Sequence, residues 1–148
     1  MKNTDLMNDN IKNLSRFTRN LTKVLLSSFE LARKRGSHEV TAKDIFTAIL
    51  TNTNCIAGRL LVRLGMDLEA TRLVLEKDYS GNELINFTPE LGEQARHLIT
   101  RSFLLASEMG HVYVGTEHML LAILQEEDEE FVRELISSGL NYEFVKGA

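Results

Sequence analysis

S-F-E-L-A-R-K-R-G, from Ser28 to Gly36, and S-F-L-L-A-S-E-M-G, from Ser102 to Gly110, are one stretch written twice, 74 positions apart. The register runs outward without a gap from Phe17/Leu91 to Met66/Leu140. Val40 meets Val114, Ala48-Ile49-Leu50 meets Ala122-Ile123-Leu124, Arg59 meets Arg133, Leu61 meets Leu135 and Gly65 meets Gly139. A single register held over about fifty positions is the mark of a duplicated unit, and a duplicated helical unit predicts two similar lobes about a pseudo-twofold axis. It also predicts two equivalent surface sites, unless one has decayed.

Within each copy the apolar spacing is helical. Thr18 suits the N-cap of a first long helix. Leu21, Val24, Leu25, Ser28, Phe29 and Ala32 then fall on one face. Arg33-Lys34-Arg35 load its last turn with positive charge, and Gly36 supplies a left-handed stop. Thr41-Ala42-Lys43-Asp44 reads as a capping box with a shortened acid. It opens a short apolar helix through Ile45, Phe46, Ala48, Ile49 and Leu50. Asn54 is the expected cap of a third helix, closed by Gly65. Asp67 caps a fourth, with Leu68, Thr71, Leu75 and Val74 inward.

Ser80-Gly81-Asn82 marks a connector. Thr88-Pro89-Glu90 combines an N-cap, a first-turn proline and a first-turn acid, so a fifth helix is expected to start there and run to about Met109. Gly115 or Thr116 starts the sixth helix, Asp128 the seventh and Asn141 a short eighth. The expected architecture is all-α: two tandem four-helix repeats, eight helices, in one compact domain. A loose arm spans 1–16, the first repeat 17–77, the linker 78–87 and the second repeat 88–148. Each lobe alone has a thin core. Burying the Phe29 and Phe103 faces, roughly 1.5–3 kcal/mol per large side chain, calls for contact within and between lobes.

Bulk composition narrows the function. Apolar content of 43% and charged content of 26% over 148 residues are those of an ordinary globular domain. A net charge of −4 with no basic stripe argues against a nucleic-acid partner. No apolar run is long enough to span a bilayer, and the first residues lack an apolar signal core, so no membrane partner and a cytoplasmic location are expected. The single cysteine, Cys55, allows no internal disulfide and fits a reducing compartment.

Catalytic signatures are missing. No G-x-x-x-x-G-K-[ST] phosphate loop occurs, and no nucleophile elbow. His111, Glu117 and His118 match no common zinc spacing, and Cys55 has no histidine near it in sequence. Catalytic and metal residues are therefore expected to be none, with no cofactor in this chain. Glu117 and His118 open a helix, and two roles suit them: contact with a ligand, or service to the helix N-terminus. Tyr113 lies in the preceding turn as a contact candidate. The run Glu126-Glu127-Asp128-Glu129-Glu130 is either a solvated surface or a patch for basic clients. Thr51-Asn52-Thr53-Asn54-Cys55 replaces it in the first copy. Arg33-Lys34-Arg35 is likewise replaced by Ser107-Glu108-Met109.

G-H-V-Y-V-G-T-E-H-M-L-L-A-I-L, from Gly110 to Leu124, resembles the signature of the Clp ATPase N-terminal domain, in particular the ClpC type. Phe17-Thr18 and Phe87-Thr88-Pro89 resemble that family's repeat starts, and the likeness covers roughly Phe17 to Tyr142. The resemblance implies a non-catalytic module on an AAA+ unfoldase. Such a module docks adaptor proteins and protein substrates, which the ATP-driven rings unfold and thread into a peptidase. A stand-alone regulator of the same fold is the alternative. In some relatives each repeat holds phosphorylated arginine, using a threonine at the repeat start and the glutamate of G-T-E-H. Carried over, the second repeat has Glu117 within Gly115-Thr116-Glu117-His118, but Gly92 at the threonine position and Thr88 a turn earlier. The first has Thr18, but Lys43 where the glutamate would be, and a lysine cannot accept from a guanidinium. Counted within each repeat neither pair is complete, so free phosphoarginine is expected to bind poorly. The client-binding candidates are Glu117, Thr116, His118, Tyr113, Thr88, Thr18 and Lys43.

Overall fold

A computed structural model describes residues 14–52, 54–79 and 87–147. Its eight α-helices are α1 (Arg19–Lys34), α2 (Ala42–Thr51), α3 (Ile56–Arg63), α4 (Leu68–Leu75), α5 (Glu93–Glu108), α6 (Thr116–Leu124), α7 (Glu130–Ser137) and α8 (Tyr142–Gly147). Two short strands, β1 (Glu39–Val40) and β2 (Glu90–Leu91), join them. The start of the N-terminal arm and residues 80–86 of the expected linker lie outside the described residues.

The caps explain most of the boundaries. Thr18 Oγ1 accepts from Leu21 N–H at 3.1 Å and starts α1. Gly36 ends it at φ 77°, a torsion that suits glycine, with Ser37 N–H bonded to Ala32 O at 2.9 Å. Gly110 does the same 74 positions later at φ 74°, with His111 N–H on Ala106 O at 2.8 Å. Asp67 caps α4 through Ala70 N–H at 3.1 Å, and Asn141 caps α8 through Phe144 N–H at 2.8 Å.

Four expectations need correction. The cap of α3 is Cys55, whose buried Sγ accepts from Gly58 N–H at 3.4 Å; Asn54 is exposed in the preceding turn. The cap of α7 is Glu129, not Asp128. Val74 points outward, 62% exposed, because Leu68 and Leu75 define the buried face of α4 and Val74 lies about 100° around the helix from Leu75. The fifth helix does not start at Thr88. Glu90 and Leu91 are drawn into a parallel pairing with Glu39 and Val40, so α5 begins at Glu93 with Gly92 as its N-cap. It therefore has the same 16 residues as α1, in the same register.

That pairing shows how the two repeats meet. β1 of the first repeat pairs with β2 at the head of the second, Val40 opposite Leu91. Reciprocally, Phe17 at the head of the first repeat bridges Val114 of the second. The two pairings are related by the 74-residue shift. Each repeat's lead-in is a strand partner for the other repeat's turn, as a pseudo-twofold relation requires.

The core sits between the repeats. Helix α2 is buried from Ala42 to Leu50 apart from Lys43, and α6 from Thr116 to Leu124 apart from Glu117. Such all-round burial demands partners on every face. Helix α2 packs on α1 and α4 of its own repeat and on α5 and α6 of the other. Aromatic pairs also cross the boundary: Phe17–Phe103 at 5.7 Å and Phe46–Phe131 at 5.6 Å between centroids. Phe29 and Phe103 are half-buried against the rim of this core, not at its centre. No single helix among the described residues is long and apolar enough to cross a membrane.

Candidate functional site

The conspicuous surface feature is the turn from Gly110 to Gly115 and the start of α6. Val112 and Tyr113 stand out from it at 65% and 62% exposure. Arg16, just ahead of the first repeat, holds the turn by donating from Nε to Val112 O at 3.3 Å. Val114 N–H donates to Arg16 O at 2.7 Å, and Thr18 N–H donates to Val114 O at 2.9 Å. The turn is thus pinned by backbone from the opposite repeat.

Behind it, His118 is buried. Its Nδ1 accepts from Gly115 N–H at 2.9 Å, and its Nε2 lies 2.8 Å from His111 Nδ1. Burial holds the His118 imidazole below its ordinary basicity; repulsion from His111 adds to this and the Glu117 charge opposes it. In the first repeat the same place in the helix is taken by Asp44. Its carboxylate is fully buried and accepts from Thr41 N–H at 3.0 Å, Tyr79 OH at 2.8 Å and the Arg35 guanidinium at 2.7 and 3.2 Å. The two repeats solve one capping task with different chemistry.

Glu117 folds back over the turn, its Oε1 lying 2.3 Å from where a Cβ on Gly115 would be. Only glycine admits the carboxylate there. Glu117 Oε1 is buried and has no hydrogen-bond partner among the described residues. A buried acceptor left unpaired costs about 1–3 kcal/mol. A donor arriving from a ligand would remove that cost.

The remaining candidates separate. Thr116 is buried, and its Oγ1 accepts from Ala57 N–H at 3.0 Å, so it serves the N-terminus of α3 in the other repeat. Thr18 spends its hydroxyl oxygen on Leu21. Thr88 is exposed and lies ahead of β2, outside any helix. Lys43 is half-buried near the start of α2.

Grouping these residues within a repeat does not survive the fold. Thr18 bonds to Val114, beside the Gly115–Glu117 turn, so the first repeat's threonine and the second repeat's glutamate share one junction. Gly92, whose Cα faces the Glu39 side chain (a Cβ there would meet it at 3.1 Å), shares the other junction with the turn leading to Lys43. One junction holds Thr18, Tyr113 and Glu117; its pseudo-symmetric counterpart holds Gly92, Glu39 and Lys43. Val112 is an exposed apolar residue of this turn that sequence reading passed over. Its position in the turn after Gly110, outside any apolar periodicity, is the signal that was there.

The basic run is partly neutralised within the chain, whereas the acidic run stays at the surface with Glu127, Asp128 and Glu130 exposed. Arg33 pairs with Glu30 at 2.7 Å and Arg35 with Asp44. In the acidic run Glu129 accepts from Gln94 Nε2 at 3.1 Å. No cluster of three or more metal-ligating side chains occurs among the described residues. His111 and His118 are hydrogen-bonded to each other, which accounts for their proximity.

Comparison with known proteins agrees with this architecture. Residues 16–137 match the family described as the Clp repeat (R) N-terminal domain. The chloroplastic chaperone protein ClpC2 of Oryza sativa is 30% identical over 125 residues, 84% of this chain and 14% of that protein. The chain thus spans about one-seventh of that relative's length. The N-domain of ClpV from Vibrio cholerae superposes with a TM-score of 0.77 at 19% identity, covering 92% of this chain and 84% of that one. The ClpV N-domain in complex with a VipB peptide superposes at 0.72 and 18% identity, covering 89% and 83%. With most of its length matched by the family and with the duplicated helical fold in place, the chain belongs to the Clp repeat N-terminal domain family.

Proposed function

We propose that this chain is a non-catalytic protein-docking module that presents adaptors and client proteins to a Clp-type AAA+ unfoldase. The ATP chemistry then belongs to an ATPase module of the parent protein. The observation that carries the reading is the unpaired, buried Glu117 Oε1 beside the exposed Val112–Tyr113 pair. An apolar and aromatic contact surface adjoins an acceptor that lacks a donor, and a peptide amide or a cationic side chain supplies one. The peptide complex of the related ClpV N-domain supports peptide binding as the mode, without specifying the peptide. The opposite junction, with Lys43 and Gly92, offers neither the acid nor the threonine, so one docking site is the expectation.

Fluorescence anisotropy with a labelled unfolded client tests this. Glu117→Ala and Tyr113→Ala should each weaken binding by about tenfold, about 1.4 kcal/mol. Tyr113→Ala should leave the melting temperature nearly unchanged, and Glu117→Ala, which removes an unpaired buried acceptor, should not lower it. Unchanged affinity with reduced stability would leave Glu117 as a structural residue only. Calorimetry with free phosphoarginine is expected to show no pair of equivalent sites, since only one junction carries both threonine and glutamate. Two equal sites would overturn the assignment.

A further inference from the structure

We propose that His111 and His118 form a proton-operated latch on the 110–115 turn. The hydrogen bonds run in one direction and have no slack. Gly115 N–H can only donate, so His118 Nδ1 must be the bare acceptor at 2.9 Å. A neutral His118 then carries its proton on Nε2 and donates it to His111 Nδ1 at 2.8 Å. His111 in turn carries its proton on Nε2.

No place in this chain accepts another proton without breaking a link. A proton on His118 Nδ1 faces Gly115 N–H and ejects it. A proton on His111 Nδ1 faces the His118 Nε2–H and separates the rings. This second event takes place at an exposed ring, whereas His118 is buried. It leaves the His118 Nε2–H without its acceptor inside the protein. A proton on His118 thus releases Gly115, whereas a proton on His111 releases only the ring pair and leaves Gly115 N–H on His118 Nδ1.

The charges that act on His118 are Glu117 on its own helix and His111 on the turn. From just ahead of the first repeat, Arg16 touches the same turn at Val112 O. Glu117 favours the imidazolium and thereby helps the latch to fire; burial holds it shut at neutral pH. The sign follows. A buried imidazole held neutral is protonated more readily in the unfolded chain, so its stabilising contribution is whole above the unfolded value, near pH 6.5, and declines as pH falls towards the lowered folded value. The first repeat has no such device. Ser37 and Asp44 stand at the equivalent positions, and Asp44 is held by Arg35 and Tyr79.

The latch concerns the turn itself and is read from the Gly115 amide, so its failure is distinct from a failure of the docking reading. The test is NMR of the whole chain from about pH 7.5 to about pH 5.5, with thermal melting alongside. His118→Asn keeps an oxygen acceptor for Gly115 N–H and cannot titrate. In the wild type the Gly115 amide proton should move upfield as its bond is lost, in step with the His118 ring signals. The melting temperature should fall more over this range than in His118→Asn. The exposed His38 and His97 are common to both proteins and cancel. His111→Ser, which removes the ring that disfavours charge on His118, should move the Gly115 excursion to higher pH even if His118→Asn folds poorly. A Gly115 amide that stays in place while the His118 ring signals shift, or an excursion at unchanged pH in His111→Ser, would overturn the latch.

Discussion

Gly115 closes the 110–115 turn, and the residue is needed there for space, not for torsion. Its φ of −114° and ψ of −177° are ordinary extended values. A methyl group in place of its hydrogen would lie 2.3 Å from Glu117 Oε1. The carboxylate sits at the end of a flexible side chain, so it would swing away and the fold would survive. Gly115→Ala should therefore lower client affinity about as much as Glu117→Ala does. Its stability cost should be near 1 kcal/mol, the penalty for alanine at an N-cap. Anisotropy and a thermal melt on the same sample check both. Intact affinity would mean that the position of the Glu117 carboxylate is immaterial. Residue roles of this local kind were largely legible: Thr18, Asp67, Asn141 and Gly36 each do what their neighbours in sequence suggest. The His111–His118 pair was not. Two histidines seven apart read as a poor metal site, and only the turn that folds one ring onto the other shows that they bond to each other.

Helices in this fold borrow partners for their first N–H groups from the opposite repeat. Ala57 N–H of α3 is met by Thr116 Oγ1, and Ala42 N–H of α2 by Gln94 Oε1 at 2.7 Å. Thr116 therefore belongs to the scaffold although it lies within the motif that points to binding. Thr116→Val removes the acceptor and strands a buried N–H, at about 1–3 kcal/mol, a drop of about 2–4 °C in melting temperature for each kcal/mol. Thr116→Ser restores the oxygen and should recover most of it. Client affinity per folded molecule should be unchanged in both, and a selective loss of binding in Thr116→Val would return this residue to the docking site. The number and order of helices were legible because the apolar period of 3.6 and the glycine stops are local signals. The start of α5 was not. Thr88-Pro89-Glu90 is a sound helix opening by local chemistry, but Glu90 and Leu91 have strand partners some fifty positions away. A two-residue strand has too little periodicity to announce itself.

At the scale of the whole molecule the duplication makes two interlocked halves, not two finished lobes. Phe17 pairs with Val114 and Leu91 with Val40, so each half lacks its strand partner when the other is absent. Helices α2 and α6 are buried nearly all round, and part of that burial comes from the opposite repeat. Removing one half would wet an apolar face of the other and open the Phe17–Phe103 and Phe46–Phe131 contacts. A unit of some sixty residues is already marginal in the area it buries, and losing that face should take it below the threshold for folding. Residues 14–79 produced alone are therefore expected to show weak helicity and no cooperative melt by circular dichroism. Mixed with residues 87–148 they should regain both, since the junctions depend on contact between the halves and not on the chain that joins them. A sharp melt from residues 14–79 alone would mean that each repeat owns a complete core and that the reciprocal pairing only aligns two independent lobes. In that case Thr18 and Glu117 would meet at a surface contact between separate units, and the docking junction would be expected to open and close as the lobes move.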